Sequence, residues 1–242
     1  MCKHQGSCRT LMFSWKRMKS KNKKILILTA VGISALFFIS AAVFILAPRG
    51  KPLPALETDA LYSIVEDGDI ICRLGDRLWS QFFKDMSETD KRYSHIGIVR
   101  IKDGIITVIH SEGDSGHGRD YVNEIAFEEF ISIARAVGIY RIKDEIKEKY
   151  TIAASQLSNL AAEYLGTPFD WQFDMTDESK IYCTELLSVI LKRIAPELEL
   201  TSAYVKEWGR YVIPLDAIST SEYFSEVYYI WEMSREQVAG SR

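Results

Sequence analysis

Residues 25–47 read ILILTAVGISALFFISAAVFILA, 23 positions without a charge. As a helix this run is long enough to cross the roughly 30 Å hydrocarbon layer of a bilayer. Its polar positions, Thr29, Ser34 and Ser40, are too scattered to recur at the period of a buried core helix. The run therefore predicts a single transmembrane helix and divides the chain into a short leading piece and a domain-sized remainder. Residues 1–24 hold eight Lys or Arg and no Asp or Glu, which leaves 22 basic against 33 acidic residues beyond position 48. That asymmetry predicts a cytoplasmic N-terminus on a single-pass protein of the cytoplasmic (inner) membrane, with the acidic remainder extracytoplasmic or periplasmic.

The apolar run is longer than a cleavable signal peptide needs, and Ala47-Pro48 is a poor cleavage site, so an uncleaved anchor is expected. The expected organisation is a basic cytoplasmic tail (1–24), the membrane helix (25–47), an extended Pro-rich linker (48–60) and one folded domain (61–242). With 47% hydrophobic and 26% charged residues the chain is of globular composition, which excludes collagen-like and wholly disordered readings. The acidic excess after position 48 argues against nucleic acid as a partner, because such a surface repels phosphate. Only Cys72 and Cys183 follow the apolar run, too few for a disulfide framework and enough for one bridge.

Hydrophobic periodicity predicts strands at 69–73, 94–101, 105–110, 138–142 and 226–231. The second and third are joined across Lys102-Asp103-Gly104, a hairpin signal. Helices are predicted after an Asp76 cap, with Leu78, Trp79, Phe82, Phe83 and Met86 on one face, at 144–165 with Gly166 as its stop, at 182–194, and briefly at 203–208. An acidic loop, 170–178, precedes the third of these. Strands too many for a bundle, and not interleaved with helices as a parallel sheet requires, predict an α+β fold with an antiparallel β-sheet packed on helices.

The domain contains three histidines, His95, His110 and His117, of which two share the hairpin. A two-residue Asp103-Gly104 turn sets Glu112 opposite His95, whereas a Lys102-Asp103 turn sets His110 there. Cys183 begins the apolar helix YCTELLSVILKRI, where the helix dipole and free amides favour a thiolate and offer donors for an oxyanion. Cys72 lies within an apolar strand and reads as an inert buried thiol. A cysteine at a helix start is also a common packing residue, and a histidine on a sheet a common structural one. Two histidines, Cys183 and a carboxylate would suffice for zinc, but no closely spaced ligand pair is present and no metal or other cofactor is expected. A serine triad lacks its G-x-S-x-G elbow.

The ordered segments GDIICRLGD, YSHIGIV, ITVIHSEG, YLGTPFDWQF and IYCTELL resemble those of the permuted papain-like amidases of the YiiX/YaeF group, relatives of the NlpC peptidases and of lecithin:retinol acyltransferase. The resemblance runs from about Val65 to Leu191 and more weakly through IPLDAI, and the His strand precedes the Cys helix as in that family. It implies a permuted papain-like (NlpC-like) fold in which Cys183 is the nucleophile and His95 the general base. The position of the family's imidazole-orienting residue, often Glu, is occupied by His110, with Glu112 as the competing orienter. Tyr93 and Tyr182 flank the two catalytic positions as pocket or supporting residues, and Glu185 matches the motif glutamate with an equal claim to a structural role. Three functions follow as expectations: an amidase or peptidase acting on envelope peptides such as peptidoglycan stems, an acyl hydrolase or acyltransferase on lipids or lipoproteins, and a binding module with an idle site.

Overall fold

Side chains of strand β1 (Ile70–Gly75) alternate between two apolar layers, and the layering of the whole domain follows from that alternation. Ile70 and Cys72 enter one buried cluster, Ile71 the other. The computed structural model describes residues 55–75, 78–113, 120–177, 179–206 and 208–231. β1 pairs with β2 (His95–Lys102) on one side and β5 (Ala134–Ile142) on the other. Beyond β2 lie β3 (Ile105–Glu112) and β4 (Tyr121–Ala126), and beyond β5 lies β8 (Phe224–Trp231). The sheet order is thus β4-β3-β2-β1-β5-β8, with every pair antiparallel. A separate hairpin joins β6 (Ala203–Val205) to β7 (Arg210–Val212).

One face of the sheet is covered by α5 (Gln156–Ala162) and α6 (Cys183–Ile194), which bury Leu157, Leu187 and Ile190 against Ile96, Ile98 and Ile109. The other face is covered by Leu61 from α1 (Ala55–Ile64) and by Phe127 and Phe130 from α3 (Phe127–Ser132), over Val99, Val108 and Val137. Three more helices, α2 (Leu78–Asp85), α4 (Asp144–Tyr150) and α7 (Asp216–Ser219), lie between strands. The Asp216 carboxylate accepts the N–H groups of Glu88 and Thr89 at 2.9 and 2.8 Å, tying the segment that enters β2 to the C-terminal part of the chain.

The expected α+β class with an antiparallel sheet is what forms, with differences in its elements. The helix expected over 144–165 is two helices, because Thr151 adopts a left-handed conformation (φ 54°) that ends α4. Gly68 packs against the interrupted segment: a Cβ there would stand 2.6 Å from the Ala154 carbonyl. Gly166 does adopt the left-handed conformation expected of a stop signal. The short helix expected at 203–208 is instead the β6–β7 hairpin, in which Tyr204 and Tyr211 face each other across the strands. α1 begins within the stretch read as linker, and β4 and α3 carry no clean alternation in sequence. Among the described residues no helix is long and apolar enough to cross a membrane; the 25–47 run, Asp76 and His117 lie outside the described residues.

Leu187 is fully buried where α6 crosses the sheet. Leu187→Ala is expected to lower unfolding stability by about 2–5 kcal/mol, read as a drop in the urea midpoint at unchanged slope.

Candidate active site

The hairpin between β2 and β3 closes at Asp103 (φ 53°) and Gly104 (φ 77°), a two-residue turn with both central residues left-handed, and Lys102 pairs with Ile105. Of the two registers open in sequence, this is the one that sets Glu112 opposite His95. The same register carried one residue past the Ile98–Ile109 pair sets His110 opposite Gly97, so His110 and His95 are diagonal neighbours on one face. A Cβ on Gly97 would lie 2.3 Å from Val108 Cγ1 and 3.3 Å from His110 Cβ. With no side chain there, the two imidazoles meet: His95 Nε2 and His110 Nδ1 are 2.9 Å apart.

His110 is buried, and its ring stands edge-on to Phe130 with centroids 5.3 Å apart. Glu112 Oε2 lies 3.9 Å from His110 Nδ1, beyond hydrogen-bond range, while Glu112 Oε1 accepts a 2.6 Å bond from Arg73 Nη2. Arg73 also donates through Nη1 to the Phe130 carbonyl at 2.8 Å, with its guanidinium 4.3 Å over that ring. Arg73 pairs with His95 across β1 and β2. It was not among the residues expected at the site, and the signal for it was a lone cation inside the otherwise buried strand IICRLG.

Cys183 is held from three directions. Ser111 Oγ on β3 donates to the Ile181 carbonyl at 2.6 Å, Thr184 Oγ1 donates to the Ile213 carbonyl at 2.6 Å, and Tyr182 Oη accepts the Ile213 N–H at 2.9 Å. Together these fix the start of α6 beside the first residues of β2. The thiol receives the backbone N–H groups of Ile96, next to His95, and of Thr184. Cys183, His95, Arg73, Glu112 and Tyr182 line one cleft, with Phe83, Trp171 and Ile213 among its apolar walls.

Burial disfavours charge on both Cys183 and His95. Burial pushes the Cys183 thiol up to about 11, outweighing the amides that favour its thiolate. The dipole-stabilised thiolate expected from the helix start is therefore not the ground state. His95 is held well below 6.5, first by burial and then by the Arg73 charge, so its imidazole is an unprotonated base.

The other expected residues divide. Tyr182 lines the cleft as the residue capping α6. Tyr93 does not: its ring packs edge-on to Tyr140 and Tyr229, with its hydroxyl against Gly138. Glu185 turns back to accept the Tyr182 N–H at 3.3 Å, a capping role. Cys72 is buried and both cysteines are free, so the single bridge that two cysteines allow is not formed. The sequence shows no closely spaced pair of metal ligands, yet the fold brings donor atoms of His95, His110 and Glu112 within 4.8 Å of one another.

Gly97→Ala is expected to displace His110 and lower turnover by at least tenfold with the helices intact, measured as kcat/KM beside far-UV circular dichroism. Burial lifts the Glu185 carboxyl to about 8 from an ordinary 4.5, so native protein holds a proton that the unfolded chain has released. The stabilisation is complete below 4.5, declines as pH rises and is lost above about 8. Glu185→Gln keeps an acceptor for Tyr182, and denaturation at several pH values should show less loss of stability across that interval than wild type.

No curated protein matches this chain. Residues 64–207 match the family described as permuted papain-like amidase enzyme, YaeF/YiiX, C92 family. A solved structure, reported as metalloprotein yiiX from Escherichia coli O157:H7, DUF1105, is similar with a TM-score of 0.56 at 16% identity, over 69% of this chain and 99% of its own.

Proposed function

The chain belongs to the permuted papain-like amidase family YaeF/YiiX, and from that premise we propose that it is a membrane-anchored extracytoplasmic cysteine hydrolase cleaving an amide bond in envelope peptides. The observation that carries this reading is the joint lining of one cleft by Cys183 and His95, with His95 already bonded through Nε2 to His110. Because Nε2 is engaged, Nδ1 is the nitrogen left to accept the thiol proton. That requires His95 Nε2–H to donate to His110 Nδ1, and His110 is the orienting residue.

Cys183 Sγ forms a bond to the acyl carbon as its proton passes to His95 Nδ1 and the carbonyl electron pair moves onto oxygen. Amides at the start of α6 supply donors for that oxyanion. Collapse breaks the C–N bond, and His95 returns the proton to the leaving amine. Water then attacks the thioester, gives a proton to His95, and expels Cys183, which regains it. The imidazolium formed twice in this cycle lies within reach of the Glu112 charge, while Arg73 limits how long it persists. A neutral resting pair makes proton transfer part of the attack step.

A cation, when held by His95, His110 and Glu112, would supply positive charge at the two imidazoles; the residues fit in donor type, and no step above runs through it.

The cleft encloses about 90 Å³, room for the scissile group and little more. It shares Phe83, Trp171 and Phe173 with a more open groove of about 330 Å³ that adds Phe82, Trp208 and Arg210. Those aromatic walls favour a second reading, in which the acyl part is a lipid or lipoprotein chain delivered at the membrane by the 25–47 anchor. Peptide release from purified cell wall, measured beside fatty-acid release from phospholipid, separates the two.

Cys183→Ala is expected to stay folded and form no acyl-enzyme. His95→Ala should slow alkylation of Cys183 by limiting iodoacetamide about 10²-fold or more near neutral pH, with buried Cys72 unreactive in both proteins. Equal alkylation of Cys183 with and without His95 would refute the pairing.

A further inference from the structure

The bond between His95 and His110 joins two nitrogens that each carry a lone pair in one tautomer, and a carboxylate stands beside them. Their separation of 2.9 Å is what two nitrogens about 2.0–2.1 Å from a shared zinc ion show at an angle of about 90°; opening to ~3.4 Å gives the tetrahedral angle. Glu112 Oε2, 3.9 Å from His110 Nδ1, stands about half an ångström beyond that tetrahedral spacing, and the three donor atoms all lie within 4.8 Å of one another. The Glu112 side chain keeps about a third of its surface exposed (35%), so it has freedom to close that gap. Arg73 Nη2 is bonded to Oε1, and Oε2 is the oxygen 3.9 Å from His110 Nδ1. Nitrogen and oxygen donors of this kind suit zinc and its first-row neighbours rather than calcium or magnesium.

We infer that a divalent transition-metal ion binds across His95 Nε2, His110 Nδ1 and Glu112 Oε2, and that its binding and attack by Cys183 exclude each other. The exclusion follows from proton accounting on one ring. A neutral imidazole carries one proton. In the catalytic tautomer it resides on His95 Nε2 and is donated to His110, leaving the Nδ1 lone pair for the thiol. A metal at Nε2 takes that lone pair, so the proton moves to Nδ1, no proton is released to solvent, and Nδ1 becomes a donor with nothing to accept from Cys183. The metal-free enzyme is then the competent form and the metal a reversible brake. The binding half of this inference stands on the donor geometry; the inhibitory half rests on the proposed roles of Cys183 and His95.

The test uses the full chain in detergent, freed of metal and titrated with Zn²⁺ against a chromophoric chelator and with Co²⁺ by visible absorption. Wild type and Cys183→Ala are expected to bind one equivalent sensitive to the site, and Glu112→Gln to bind it at least tenfold more weakly, with the Co²⁺ spectrum altered. His110→Ala should abolish that equivalent; should it fail to fold, Glu112→Gln carries the test. Saturating Zn²⁺ should slow iodoacetamide alkylation of Cys183 at least tenfold, and chelation should restore it. Metal binding unchanged in Glu112→Gln and in folded His110→Ala overturns the site. Undiminished alkylation with Zn²⁺ bound overturns the exclusion. A Cys183 that stays unreactive in metal-free protein refutes the hydrolase reading instead, and leaves the Co²⁺ spectrum to decide the metal site.

Discussion

Between the two imidazoles of this site stands a position with no side chain. Gly97 lies on the middle of three paired strands, directly across from His110, and any Cβ there would collide with Val108 before His110 could turn toward His95. The contact between His95 and His110, with Glu112 and Arg73 beside it, depends on that gap. The hairpin turn sets which residues face one another, and the missing side chain converts a diagonal relation into a hydrogen bond. Neither alone would do so.

Desolvation governs the chemistry once the groups are assembled. A thiol pushed to about 11 and an imidazole held below its ordinary value form an uncharged couple, which is the cheaper state for two groups packed among Phe130, Phe83 and Ile213. The ion pair at the site, Arg73 with Glu112, has its cation almost entirely buried and its anion partly in solvent, and the arginine has the Phe130 carbonyl and ring as further partners. A buried pair supported in this way avoids the cost of an uncompensated charge. It also places a positive and a negative group beside the two imidazole rings.

Much of the site was legible because its signals are local. Asp103-Gly104 announces a tight hairpin, YCTELL a helix start with its cysteine first, and the order of motifs a permuted papain-like arrangement. The choice between Glu112 and His110 was not legible: the turn sets Glu112 opposite His95, yet His110 makes the bond, and that outcome depends on the space left by Gly97 in three dimensions. Arg73 was missed because its partners, Glu112 and the Phe130 carbonyl, are 39 and 57 residues away in sequence. The same holds for the break at Thr151, near which the turn around Gly68 packs, and for Tyr204 and Tyr211, whose pairing in a hairpin outweighs a weak helical pattern.

Ser111 sits between His110 and Glu112, and its hydroxyl grips the carbonyl of Ile181, two residues ahead of Cys183. Strand β3 therefore serves as a common mount for His110 and for the peptide that leads into Cys183. His110 and the peptide that leads into Cys183 are held by the same strand, so a displacement of that strand moves both. A site assembled from separate ends of a chain thereby gains the tolerance to vibration of two instruments bolted to one rail.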